Sequence, residues 1–289
     1  MTALDFILIA QECGYVALPA PLVHIALVAV PLLGQLSGDS GEAIKQQWLP
    51  AIAEGRAKVM VGLEQNTFVE DAHTADLLIL QKGQALYALT PEQFSYTLNE
   101  SVDPSRKLYS ISWQTSDAKL IAEGGQAQCL IDGAINRGAL GVAAEALGLS
   151  QRMVDMTVSY TADRQQFGKP IGSFQAVKHL MANVAVKLEF AKTPVYKAAY
   201  AVAEQLPSAN VNVSHAKLAA TEVAQLAARN AMQCHGAMGY TWEVDLQIFM
   251  KKAWVYNNAW GVVAWHQGRV SDFVFADQAA IGPGSTFVA

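Results

Sequence analysis

The stretch Ser159–Val184, SYTADRQQFGKPIGSFQAVKHLMANV, decides how the rest of this 289-residue chain is read. A turn rich in Gly and Pro separates two apolar helical patterns. Arg164 stands at the end of the first, Phe167 and Gly168 follow, and Pro170 and Gly172 force a turn. Ser173 is placed to cap the next helix, with Gln175 in its first turn. An always-charged guanidinium beside the backbone donors of a helix start suits a diphosphate, and Gln175 suits the polar edge of a heterocycle. A plain helix hairpin with a surface arginine fits the same spacing.

The pattern extends outward on both sides. After the turn, Phe174, Val177, Met181, Val184 and Leu188 recur at steps of three and four, so one helix face is core. Before it, Gly138–Arg164 is apolar nearly all round, and Val211–Gly236, bracketed by Pro207 and Gly236, is rich in alanine; both suit close helix packing. With the helix expected after Trp242, these make a four-helix bundle over 133–289. Upstream, residues 1–55 are helical in pattern, with one helix ending at Gly14 and another capped by Ser40. Residues 56–132 change texture to short runs such as AKVMVGL, ADLLILQ, ALYALT, LYSISWQ and AQCLI, which read as a small β-domain. The fold class is α+β.

Composition narrows the function. Charged residues make up 16% and hydrophobic ones 52%, which suits elements buried on several sides or across a subunit interface. A net charge of -5 without a basic run argues against nucleic acid. Cys13, Cys129 and Cys234 show no ligand spacing, and reduced thiols in a cytoplasm are the simple reading. The first residues lack a basic region ahead of the apolar stretch, so a signal peptide fits poorly. No uncharged apolar run reaches the length of about 18 residues that a span requires. Templates for a nucleophile elbow, a zinc helix, a phosphate loop and a dinucleotide strand–turn–helix all fail, and no metal site is expected.

The opening stretch is similar to the acyl-CoA dehydrogenase motif in which Tyr, Arg, Phe-Gly, a turn and Phe-Gln succeed one another. A second segment, NAMQCHGAMGYTWEVDLQIFMKKAW (Asn230–Trp254), resembles that family's Gln-x-x-Gly-Gly-x-Gly-Tyr segment followed by a basic helix. The two in order are specific, and the passage QQWLPAIAEGRAKVMVGLEQ resembles the family's entry into its middle β-domain. The resemblance implies a short N-terminal helical part, a middle β-domain and a C-terminal four-helix bundle. It also implies FAD held across a subunit interface. Arg164 would pair with the diphosphate, Phe167 would pack near the adenine end, and Gln175 would contact the adenosine portion. Gln233 would approach the diphosphate from the neighbouring subunit, where Gly236 and Ala237 match the family's glycine pair. His266 and Arg269 fall near the adenine contacts. His235 reads as a packed motif residue, and Trp254, Trp260 and Trp265 as core or interface.

The family's reaction needs a carboxylate to take the proton alpha to a CoA thioester while flavin takes the beta hydride. In the commonest version a Glu precedes Gly-Thr; here Trp260 precedes Gly261. A second known placement falls at about Gly138 and also lacks a carboxylate, leaving Glu145 as the nearest acid, while Glu243 reads as helix-starting charge. The usual flavin-contacting segment is replaced by LEQNTFVEDAHTADLL, in which Glu64 holds the Glu position. The resemblance implies that the chain begins partway through the family's N-terminal domain. Three expectations follow. The preferred one is a subunit of a heteromeric acyl-CoA dehydrogenase, similar to those acting on bulky steroid-derived CoA thioesters, whose partner carries the base. The others are a homo-oligomer using Glu145 and a silent flavin-binding or CoA-binding scaffold. The resemblance implies an acyl-CoA substrate, a dimer or tetramer with itself or a second subunit, and an electron-transfer flavoprotein as acceptor.

Overall fold

The computed structural model describes residues 2–277, 279 and 282. They fall into two compact units, Pro19–Gly138 and Met1–Leu18 with Ala139–Ala289. Helix α1 spans Ala3–Tyr15, and α2 (Leu22–His24) runs through a π turn (Ile25–Ala29) into α3 (Val30–Gly34). Then come α4 (Gly38–Ala53), β1 (Val59–Gly62), β2 (Val69–Glu70), β3 (Leu77–Lys82), β4 (Ala85–Leu89), β5 (Phe94–Asn99), β6 (Leu108–Trp113) and β7 (Lys119–Glu123). The chain continues through α5 (Gly124–Asp163), β8 (Gln165–Gln166), β9 (Lys169–Pro170), α6 (Gln175–Ala203), α7 (Ala209–His235), α8 (Leu246–Tyr256) and α9 (Val263–Val274).

In the unit Pro19–Gly138, one sheet has the order β1-β3-β4-β7 and a second has β2-β6-β5. Strand β1 runs parallel to β3, with Val59 opposite Leu77, and every residue of β1 is buried. Burial on both faces is why VMVG reads as a continuous apolar run rather than an alternation. Met60, Val69, Leu78, Leu80, Leu89 and Tyr109 form the core between the sheets. Two sequence expectations are corrected here. AQCLI is helical, belonging to α5, where Ala127, Leu130, Ile131 and Ala134 are buried. A five-residue apolar run has no period until its neighbours extend it. Ser40 is not the cap of α4: the helix starts after Ser37, because Gly38 turns the chain at φ +76° two residues earlier. The Ser37 hydroxyl accepts a bond from Gln126 Nε2 at 2.6 Å.

The other unit is helical. In α6, Met181, Val184, Leu188, Ala191 and Val195 are buried at steps of three and four, facing α7 and its small residues Ala216, Ala220, Ala224 and Ala227. Burying each large aliphatic side chain contributes about 1.5–3 kcal/mol. Helix α1 ends at Tyr15, one residue beyond Gly14. Gly14 serves packing instead. A Cβ on it would stand 2.0 Å from the Glu145 carbonyl oxygen, and one on Gly148 would stand 1.8 Å from that of Gln11. The two glycines therefore let the backbones of α1 and α5 touch. Tyr15 OH donates to Asp155 Oδ2 at 3.0 Å, tying α1 to α5, and Tyr196 OH donates to Gln11 Oε1 at 3.1 Å, tying α1 to α6.

Candidate functional site

The hairpin β8–β9 turns on Phe167 and Gly168, at φ +53° and +78°. Two successive left-handed residues make the tight turn whose twist matches a hairpin. Glycine takes that conformation freely; a phenylalanine costs about 1–2 kcal/mol there. Phe167 is also 91% exposed, so the chain spends conformational energy to display an apolar ring. The hairpin turn sets this conformation, and the ring lies edge-on to Phe174 with centroids 6.1 Å apart.

Arg164 follows the last turn of α5. Its amide donates to Tyr160 O at 2.9 Å, and its carbonyl accepts from Ile171 N–H at 2.8 Å, tying the arginine to the turn before α6. The side chain is exposed, and among the described residues no carboxylate pairs with it. Ser173 does not cap α6. Phe174 occupies the cap position in extended conformation and offers no side-chain acceptor, because residues Ile171–Ser173 form a 3-10 turn that sets the helix start one residue later. The first-turn amides of α6, beginning at exposed Gln175, are thus left for an external acceptor.

The second segment arrives at the same end of the unit. Gly236 ends α7 at φ +59°, ψ -134°, a conformation confined to glycine. Gln233, Gly236 and Ala237 are exposed, and nothing lies within 4 Å of where a Gly236 Cβ would be. The Tyr160 ring stacks on His235, centroids 4.2 Å apart, and Tyr160 OH reaches His235 O at 3.4 Å. His235 Nδ1 faces Ala231 O at 2.8 Å; a carbonyl only accepts, so the proton is on Nδ1. Burial lowers the His235 pKa, against the opposing bond to Ala231 O. Asn230 Nδ2 donates to Leu180 O at 2.9 Å, pinning α7 to α6. An apolar groove of about 320 Å³ lies under the hairpin, lined by Val158, Thr161, Pro170, Gly172, Val177 and Met181.

The positions considered for a base look different. Trp260 is buried and held at φ +56°, in the loop between α8 and α9. His266, fully buried, meets Trp260 O through Nε2 and Ser214 Oγ through Nδ1, each at 3.0 Å. The carbonyl fixes the proton on Nε2, so the Ser214 hydroxyl donates to Nδ1. Burial, and then the neighbouring Lys217, push the His266 pKa down to about 4. Lys217, 1% exposed, donates to Tyr256 O at 2.7 Å, and Gln225 donates to Ala253 O at 2.8 Å. Two α7 side chains thus satisfy carbonyls at the end of α8, and His266 on α9 satisfies that of Trp260. Sequence reasoning missed Ser214 and Lys217; their signal was two polar residues on the alanine face of α7. His266, aligned with the adenine contacts, has both nitrogens engaged inside the chain. Trp265 lies edge-on to it and under Arg269, while Trp254 is 40% exposed.

Gly138 is buried within α5. Glu145 is half-buried at the α1–α5 crossing, where its charge, after burial, raises the Cys13 thiol pKa. It lies 15 residues before Tyr160 on the same helix, about 22 Å along the axis. Glu243 is exposed. Glu64 accepts the Gly83 amide at 2.8 Å and so supports the β3–β4 turn. Among the described residues no His, Cys, Asp and Glu group could hold a metal, and no helix is long and apolar enough to cross a membrane.

Residues 129–271 match the model of the acyl-CoA dehydrogenase C-terminal domain. The chain is 32% identical over 249 residues to the acyl-CoA dehydrogenase IpdE2 of Mycobacterium tuberculosis, covering 86% of this chain and 71% of that one. The chain belongs to the acyl-CoA dehydrogenase family. Members of this family are FAD-dependent oxidoreductases. The chain is also 30% identical to the glutaryl-CoA dehydrogenase of Desulfococcus multivorans, over 66% of this chain and 53% of that one. Butyryl-CoA dehydrogenase of Megasphaera elsdenii shares the acyl-CoA dehydrogenase fold at a TM-score of 0.83 and 22% identity, covering 95% of this chain and 82% of that one. The donor set fits the family's cofactor: an exposed guanidinium, uncapped helix amides and an open glycine backbone are what a diphosphate recruits.

Proposed function

We propose that this chain is an FAD-binding subunit of a heteromeric acyl-CoA dehydrogenase, and that its partner subunit brings the carboxylate base. The observation that carries this reading is Trp260. It stands before Gly261 where the family's usual base precedes its glycine, and it is buried and pinned by its own carbonyl. An indole accepts no proton. The opposite end of the helical unit, around Arg164 and Gln175, keeps its donors exposed.

Arg164 and the first-turn amides of α6 would hold the diphosphate, Gln175 the adenosine portion, and Phe167 the adenine end. Gln233, Gly236 and Ala237 would meet the diphosphate of the cofactor shared with a neighbouring subunit. Bound FAD supplies the acceptor for the hydride lost from the beta carbon of the CoA thioester. The alpha proton would leave to the partner's carboxylate, and an electron-transfer flavoprotein would be the electron acceptor. A bulky CoA thioester of the steroid-derived kind is the proposed substrate class. Cytoplasmic placement belongs to the same proposal.

The test is to co-purify the chain with its partner and measure turnover of an acyl-CoA by wild type, Glu145→Gln and Trp260→Phe. Both variants should stay within about threefold of wild type in kcat, because neither residue is asked to move a proton. A loss of about 100-fold or more in Glu145→Gln, the scale of a general base, would move the base into this chain.

A further inference from the structure

His24 closes the free edge of a sheet. Strand β1 lies at one end of the order β1-β3-β4-β7, so half of its backbone groups face away from β3. The outward amide of Val61 is met by the His24 imidazole, whose Nε2 lies 3.1 Å from Val61 N. An amide N–H only donates, so Nε2 must present its lone pair and the neutral ring carries its proton on Nδ1. His24 stands immediately before the π turn Ile25–Ala29, which packs against β1. A π turn adds a residue to a helical turn, is rare, and is frequent at functional sites.

We propose that His24 is an acid-released latch: its neutral imidazole holds the edge of β1 through the Val61 amide, and protonation, which replaces the acceptor by a second donor, releases that edge. The direction of its titration agrees, since burial lowers the His24 pKa to about 4. The charged groups acting on it are Glu70, on β2, and Arg106, ahead of β6. These two pair with each other, Arg106 Nε donating to Glu70 Oε1 at 2.6 Å, and so largely offset one another. The helical stretch Leu22–Gly34 and strand Val59–Gly62 contain no other titratable side chain. The acid response therefore belongs to the imidazole itself. The latch lies within one compact unit and does not depend on the cofactor assignment.

Hydrogen exchange at the Val61 amide of the full chain tests this directly, comparing wild type, His24→Gln and His24→Leu. Glutamine places an uncharged acceptor near the position of Nε2 and does not titrate. At pH 7 the Val61 protection factor should match wild type within about threefold in His24→Gln and fall at least tenfold in His24→Leu. Between pH 7 and pH 4, after correction for intrinsic exchange, it should fall at least tenfold in wild type and stay level in His24→Gln. Equal pH dependence in wild type and His24→Gln overturns the latch, as does full Val61 protection in folded His24→Leu. If His24→Leu does not fold, the comparison of wild type with His24→Gln decides alone.

Discussion

The Tyr160 ring lies on the His235 imidazole with centroids 4.2 Å apart and planes 19° from parallel. Tyr160 is one helical turn before Arg164 and His235 is next to Gly236, so this one contact brings the two motif segments to the same place. Removing the ring should therefore affect both folding and cofactor retention. Tyr160→Ala is expected to cost about 1–3 kcal/mol in urea unfolding. Tyr160→Phe, which keeps the stack and loses only a 3.4 Å hydroxyl contact, should stay within about 1 kcal/mol of wild type.

Arg164→Ala separates binding from stability. A charged hydrogen bond to a diphosphate is worth about 1.5–3 kcal/mol, which predicts FAD affinity about 10- to 150-fold weaker. The side chain is exposed and pairs with no carboxylate among the described residues, so the urea midpoint should barely move. Flavin titration of the complex co-purified with the partner, and denaturation of the chain, check the two halves.

Much of the local geometry around the candidate site was legible in the sequence, and the reasons differ by residue. Arg164, Phe167 and Gly168 stand out because a turn needs particular residue types at fixed offsets, and the left-handed pair at 167–168 obeys that requirement. The stripe Met181, Val184, Leu188 was readable because burial of one helix face imposes a period. Ser173 and Ser40 misled because several residues near a helix start can act as caps and local geometry chooses among them. AQCLI misled because a short apolar run fits strand and helix alike. The contacts of His24 with Val61, and of Ser214 and Lys217 with His266 and Tyr256, join positions far apart in sequence, and no local pattern announces them.

Acid should destabilise the protein through His266 as well as through His24. Its pKa is lowered from 6.5 to about 4 in the folded state, so between those values the unfolded chain binds a proton that the folded chain does not. Stability therefore falls as pH drops from about 6.5 to about 4, by about 3 kcal/mol through His266, in addition to what His24 loses over the same range. Urea midpoints measured against pH should show this slope, and His266→Gln should flatten it by about one proton while lowering stability at pH 7.

Gly261→Ala examines the loop under Trp260. Gly261 sits at φ +103°, and a Cβ there would stand 2.8 Å from His266 Nε2. The substitution should cost at least about 2 kcal/mol, or about 4 °C or more in Tm for a chain of this size. A thermal melt equal to wild type would mean that the loop is not held as tightly as its bonds to His266 and Lys217 imply.

The central claim is that this chain supplies part of a flavin site that a partner completes. Flavin absorbance and native mass, measured on the chain purified alone and again after co-expression with the protein encoded beside it, test that claim most directly. The account predicts colourless or weakly flavinylated protein alone, and a yellow complex of larger mass, bleached by an acyl-CoA, only with the partner. A yellow homo-oligomer that is bleached by an acyl-CoA without any partner would contradict it.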